Sequence, residues 1–118
     1  MRKKTIILSI FVALTALALS ACAERKKINE ITADPGRYTN KEVIIVGKVT
    51  NSYGAAQYGI YEVDDGTGRI WVVTEKYGVP SKGTTIGVSG KIIPGVTYSG
   101  RNYGTGMYES ARRTRESR

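Results

Sequence analysis

Aromatic rings and a few carboxylates carry whatever chemistry this chain can perform. It has eight tyrosines and one tryptophan. Flat aromatic faces stack on bases or sugar rings, and a stacked base contributes about 1–3 kcal/mol. Tyr53, Tyr58 and Trp71 lie in or beside the middle of the chain, and Tyr98 and Tyr103 flank Arg101 in a glycine-rich stretch. The acidic alternative is Glu62, Asp64 and Asp65, which would serve a small hydrolase if two of them converged on one cleft. A calcium loop would need ligands at alternating positions and a distal acid, and Asp64-Asp65-Gly66-Thr67-Gly68 lacks both. Turn chemistry accounts for the two aspartates. There is no histidine and only one cysteine, Cys22. Ser-His-Asp triads, Cys-His pairs and zinc sites are therefore excluded by composition, and so is a disulfide within the chain. The expectation is a non-catalytic binding module with no cofactor and no metal.

The charge is unevenly placed. The chain carries 18 Lys and Arg against 10 Asp and Glu, a formal net charge of +8. From Ile28 to Gly100, seven cations face seven anions. The excess lies in Arg2, Lys3 and Lys4, in Arg25, Lys26 and Lys27, and in Arg101, Arg112, Arg113, Arg115 and Arg118. The basic total is thus no sign that the folded middle grips nucleic acid.

The elements that must position these side chains follow from periodicity. Residues 5–19 are apolar behind a basic front, and Leu19-Ser20-Ala21-Cys22 closes the run on small residues. A spanning helix would need about 20 apolar residues, so a cleaved secretory segment over 1–21 fits better. Residues 22–27 then read as a short polar tether. Ile28 to Ala33 forms a short helix with Ile28 and Ile31 on one face, stopped by Asp34-Pro35-Gly36. Val43 to Thr50 alternates with period two and is β-branched, which predicts a strand; Gly47 inside it marks a bulge or close approach. Gln57–Asp64, Arg69–Thr74 and Thr85–Ile93 predict three more strands, with a tight turn at Asp65-Gly66. A weak fifth runs through Met107, Tyr108 and Glu109. Residues 28–110 make one small domain, and 111–118 read as a basic, solvated, disordered tail.

Two resemblances sharpen this picture. Leu19-Ser20-Ala21-Cys22 behind its basic and apolar segments resembles the lipobox of bacterial lipoproteins. The resemblance implies cleavage before Cys22 and acyl chains on its thiol, three of them in many Gram-negative cases. It thus implies a membrane partner reached through lipid on Cys22. In a Gram-negative cell, Ala23 in the next position implies the outer membrane, facing the periplasm. The succession Val43 to Val49, then Tyr61-Glu62-Val63-Asp64-Asp65-Gly66-Thr67-Gly68-Arg69-Ile70, then Gly83 to Lys91 resembles the anticodon-binding-type branch of the OB-fold superfamily. This implies an all-β, five-stranded barrel with a short N-terminal helix. An SH3-like barrel or an open meander meets the same strand pattern.

OB-folds bind on the outer face of their second and third strands, flanked by two loops. On this chain that geometry selects Trp71 as the centre of a stacking platform and Tyr58 as its neighbour. Tyr53 in one loop (51–56) and Tyr98, Arg101 and Tyr103 in the other (94–106) become its walls. If Tyr61, Val63, Ile70 and Val72 point inward, Tyr58, Ile60, Trp71 and Val73 point outward. The expected ligand is a glycan, a peptide or an envelope protein; single-stranded nucleic acid is the alternative.

Overall fold

β-branched runs punctuated by Gly and Asp set the architecture. The computed structural model describes residues 23–115; Cys22, the segment 1–21 and residues 116–118 lie outside the described residues. The elements in chain order are β1 (Glu24–Arg25), α1 (Ile28–Ala33), α2 (Pro35–Tyr38), β2 (Glu42–Ala55), β3 (Tyr58–Asp64) and β4 (Arg69–Thr74). They continue with β5 (Thr85–Ile93), β6 (Thr97–Tyr98), β7 (Arg101–Asn102) and β8 (Gly106–Arg115). β2, β3, β4, β8 and β5 are neighbours in that order, and β5 pairs back onto β2, closing a five-stranded barrel. Within the barrel all pairs are antiparallel except β4 with β8.

The inward residues of the strands are mostly apolar, and the core joins Val43, Ile45, Val49, Tyr61, Val63, Ile70, Val72, Ile86, Val88, Ile92 and Met107. Helix α1 closes one end. Ile28 and Ile31, three residues apart on one face, are fully buried in this core. Its first amides are capped from elsewhere in the chain. Ile28 N donates to Asp65 Oδ2 (2.8 Å) and Asn29 N to Thr67 Oγ1 (3.2 Å). Two glycines sit where strands cross closely: a Cβ on Gly47 would overlap the Asp64 carbonyl, and one on Gly90 would overlap the Tyr108 carbonyl.

Four expectations need correction. Residues 22–27 are not all tether, because Glu24 and Arg25 pair in parallel with Val43 and Ile44, and Lys26 N donates to Ile44 O (2.9 Å). The first half of β2 has an edge that β3 does not reach, and β1 satisfies it. The stretch 51–56 is not a loop. β2 runs through it to Ala55 past a bulge between Val49 and Asn51, and only Ala56 and Gln57 make the turn into β3. Residues 94–106 are not simply loop either, as the site shows below.

Lastly, the basic stretch beyond 110 is strand as far as Arg115. β8 holds ten residues and pairs with β5 from Thr85↔Arg115 to Ile93↔Gly106. Its register shifts where Ser89 faces Ala111 and Gly90 faces Glu109, leaving Ser110 as the extra residue of a bulge. The bulge inverts the alternation. Met107 and Glu109 point inward before it, and Arg112, opposite the buried Val88, points inward after it. Arg112 Nε then donates to Glu109 Oε1 at 2.8 Å. Glu109 also accepts from the Tyr61 hydroxyl and from Thr74 Oγ1 (2.7 Å), while Arg112 reaches the Gly78 carbonyl. The guanidinium lies over the rings of Tyr61 (5.3 Å) and Tyr77 (5.4 Å). A satisfied ion pair thus plugs the barrel end opposite α1. Burial, then the bond to Glu109, pushes the Tyr61 phenol far above its ordinary value, so it stays a proton donor.

Candidate aromatic binding face

The side chains that face out of β3 and β4 build the site. Tyr61, Val63, Ile70 and Val72 are buried inward, as alternation requires. Trp71 therefore faces outward, directly opposite Glu62 on β3, and it is half-buried. Tyr53 stands opposite Ile60 on the same face. Its ring stacks on Trp71 with centroids 5.9 Å apart and planes 22° apart. Tyr53 is 51% exposed. The Tyr103 ring meets Trp71 from the other connection, 4.8 Å between centroids at 53°, and the Arg101 guanidinium sits 5.5 Å over the Tyr103 ring.

The connection from β5 to β8 is a hairpin. β6 and β7 pair as Thr97↔Asn102 and Tyr98↔Arg101. Val96 N donates to Gly104 O and Tyr103 N to Val96 O, each at 2.8 Å, which prolongs the ladder. Ser99 and Gly100 both take positive φ (50° and 77°), the conformation that two-residue hairpin turns require. The hairpin folds back over the barrel. Val96 is buried outside the main core, as is Ile60, and the Val96 side chain fills the space that a Cβ on Gly106 would occupy. Gly106 itself pairs with Trp71. Val96, against Gly106 beside Trp71, and Ile60, opposite Tyr53, are thus buried apolar side chains on the outer side of the sheet.

The structure brings Tyr53, Trp71, Tyr103 and Arg101 together. It does not bring Tyr58 or Tyr98 into that cluster. Tyr58 is 55% exposed on the same face but at the far end of the hairpin, opposite Ala55. Tyr98 is half-buried in β6 beside the turn. Ile60, expected to face solvent, is covered. Its burial on the outward side of β3 is something periodicity alone does not reveal.

The electrostatics around the rings are mixed. Glu62 accepts from Thr50 Oγ1 (2.7 Å) and Asn51 Nδ2 (3.0 Å), and Arg69 lies between Glu62 and Asp64, 3.1 Å from the latter. Asp65 is committed to the turn. Burial alone would raise its carboxyl, but hydrogen bonds from Thr67, Ile28 and Gly68 outweigh it and hold it below the ordinary range. These three carboxylates all have structural partners. Among the described residues no group of three or more His, Cys, Asp or Glu could hold a metal. The face can therefore stack and donate hydrogen bonds from tyrosines, with Arg101 over Tyr103 and Arg69 beside Glu62 as its cations.

No protein-family model matches this chain, and no curated protein does. Among solved structures, it is similar to OBody AM3L09 bound to hen egg-white lysozyme at 18% identity and a TM-score of 0.52, over 66% of this chain and 84% of that one. It is similar to OBody AM1L10 bound to the same protein at 17% identity and a TM-score of 0.50, over 69% and 85% of the two chains. A Replication Protein A heterotrimer bound to ssDNA matches at 21% identity and a TM-score of 0.47, over 64% and 58%. The closed barrel of residues 42–115, capped by α1, is an OB-fold.

Proposed function

We propose that this chain is a lipid-anchored binding module of the cell envelope, tethered through Cys22 and non-catalytic. It would hold a glycan, a peptide or an envelope protein on the outer face of β3 and β4. The observation that carries this reading is the Tyr53–Trp71–Tyr103 cluster beside the Glu62 carboxylate. Stacked aromatics offer large contact area at small entropic cost. A carboxylate opposite Trp71 disfavours a polyphosphate backbone, whose binding needs several cations to release counterions. The OBodies above, each bound to a protein, supply a precedent for a protein ligand on this fold.

The chain has a single tryptophan, so its emission reports this face directly. Soluble peptidoglycan fragments, which present both sugar rings and a peptide, are expected to shift Trp71 emission in a salt-insensitive titration. A response to oligo-dT alone, weakening as salt rises, would replace this reading with the nucleic-acid one. For the anchor, Cys22→Ser should release the protein from membranes; an uncleaved, membrane-bound product would show the leader acting as a helix.

A further inference from the structure

The cations that the sequence divides between its two ends meet on one face of the barrel. Outward positions of β1, β2, β5 and β8 align in rows: Arg25 beside Ile44, Ser89 and Ala111; then Val46, Gly87 and Arg113; then Lys48, Thr85 and Arg115. The Ser110 bulge is what turns Arg113 and Arg115 outward. In the middle lies a groove of about 330 Å³ lined by Ile44, Val46, Gly87, Ser89, Ala111, Arg112 and Arg113. Ile44 and Val46 are half-buried, and Ala111 is exposed. Arg25, Lys48, Arg113 and Arg115 are exposed around it, and among the described residues none of them is paired with a carboxylate. The anions on and beside this face are Glu42, which accepts from Ser89 Oγ, and Asp64 and Asp65, which line the depression next to Val46, Lys48 and Thr85.

We infer that this β1–β2–β5–β8 face docks on an anionic lipid surface, with Ile44, Val46 and Ala111 at the headgroup level and Arg25, Lys48, Arg113 and Arg115 on the phosphates. Two observations select lipid as the occupant. The first is charge: an apolar strip rimmed by cations matches a surface that is apolar below and anionic above. The second is where the described chain begins. Arg25 is hydrogen-bonded into the sheet in this face's own rows, and Cys22 precedes it by three residues. Three residues span at most about 11 Å, so a lipid on Cys22 would hold the face against the bilayer. This rests on the anchor proposed above. The aromatic face of β3 and β4 lies on the other side of the barrel and would point away from the membrane.

The test uses the full chain purified from membranes and reconstituted into phosphatidylcholine vesicles with or without phosphatidylglycerol. A fluorophore placed at Ala111→Cys is expected to be quenched by headgroup spin-labelled lipid several-fold more than one at Tyr58→Cys. The difference should grow with phosphatidylglycerol and vanish when Arg113→Glu and Arg115→Glu are added. Equal quenching at the two sites, stronger quenching at Tyr58, or indifference to charge reversal would overturn the proposal. So would protection of Ala111→Cys by single-stranded RNA but not by vesicles. The mass of the peptide containing Cys22 reads the anchor separately. An unmodified thiol ends the lipid-anchored reading, whereas an acylated Cys22 with an unquenched Ala111→Cys ends only the docking face.

Discussion

Glu109 and Arg112 make the sharpest demands on the fold at the scale of single residues. Their carboxylate and guanidinium are buried together, with 1% and 12% of the side-chain surface exposed. Removing one partner of such a pair strands a charge, which costs about 3–5 kcal/mol. Arg112→Ala should therefore lower stability by about 3 kcal/mol, near the bottom of that range because the guanidinium keeps some access to water. Urea unfolding measures it. The Glu109→Ala, Arg112→Ala double variant should lose less than the sum of the singles by about 1–3 kcal/mol; strict additivity would refute the pairing. Asp65 works at the opposite end of the barrel, where its carboxylate caps both its own turn and α1. Asp65→Ala should cost about 1–2 kcal/mol, the loss typical of a cap. Because the folded carboxyl titrates lower than an unfolded one, its stabilisation is present above about pH 4 and fades as pH falls through the folded value. Wild type should thus show an acid loss of stability, followed by circular dichroism, that is smaller in Asp65→Ala. Neither role was legible in the sequence. The aspartate read as a turn residue because Ile28, whose amide it caps, lies 37 residues away, and Arg112 read as one more cation in a solvated tail because only the Ser110 bulge turns it inward toward Glu109.

Strands whose inward residues are all aliphatic were legible at the scale of elements. β3, β4 and β5 begin and end within a residue of where alternation places them, and α1 matches its i, i+3 pattern. β8 was legible only as a weak strand through Met107, Tyr108 and Glu109, and its extension to Arg115 was not, for a physical reason. Its inward side carries Glu109 and Arg112 in place of apolar residues, and the Ser110 bulge breaks the period of two between them. A pattern built on hydrophobicity sees nothing there. The hairpin β6–β7 escaped in the same way, since Tyr98-Ser99-Gly100-Arg101 is short and polar and its packing rests on Val96 and the Tyr103 ring. Of the candidate site, the aromatic types and the outward face of Trp71 were legible. The contacts of Tyr53 and Tyr103 with Trp71 were not, because they depend on how β2 extends and how the hairpin folds back. That packing gives a further prediction. Gly106→Ala would drive a methyl group into Val96 and the Trp71 carbonyl, lifting the hairpin. It should cost about 1–3 kcal/mol, as overpacking does, and shift Trp71 emission to the red. An unchanged emission spectrum would mean that the hairpin does not shelter the ring.

The barrel separates two kinds of surface at the scale of the whole molecule. One side offers stacked rings beside a carboxylate, and the other an apolar strip rimmed by cations. The composition seen as an average hid this division, since the folded middle is neutral and the excess charge sits at the two ends of the chain. The sheet brings those ends together when β1 joins β2 and β8 joins β5. The measurement that tests the account most directly is the binding of soluble peptidoglycan fragments to Trp71→Ala beside wild type, with urea unfolding run on both. Loss of binding by at least about tenfold, on the scale of one lost stacking contact, with an unfolding transition that stays cooperative is the expected result. Undiminished binding by a folded Trp71→Ala protein would contradict the account.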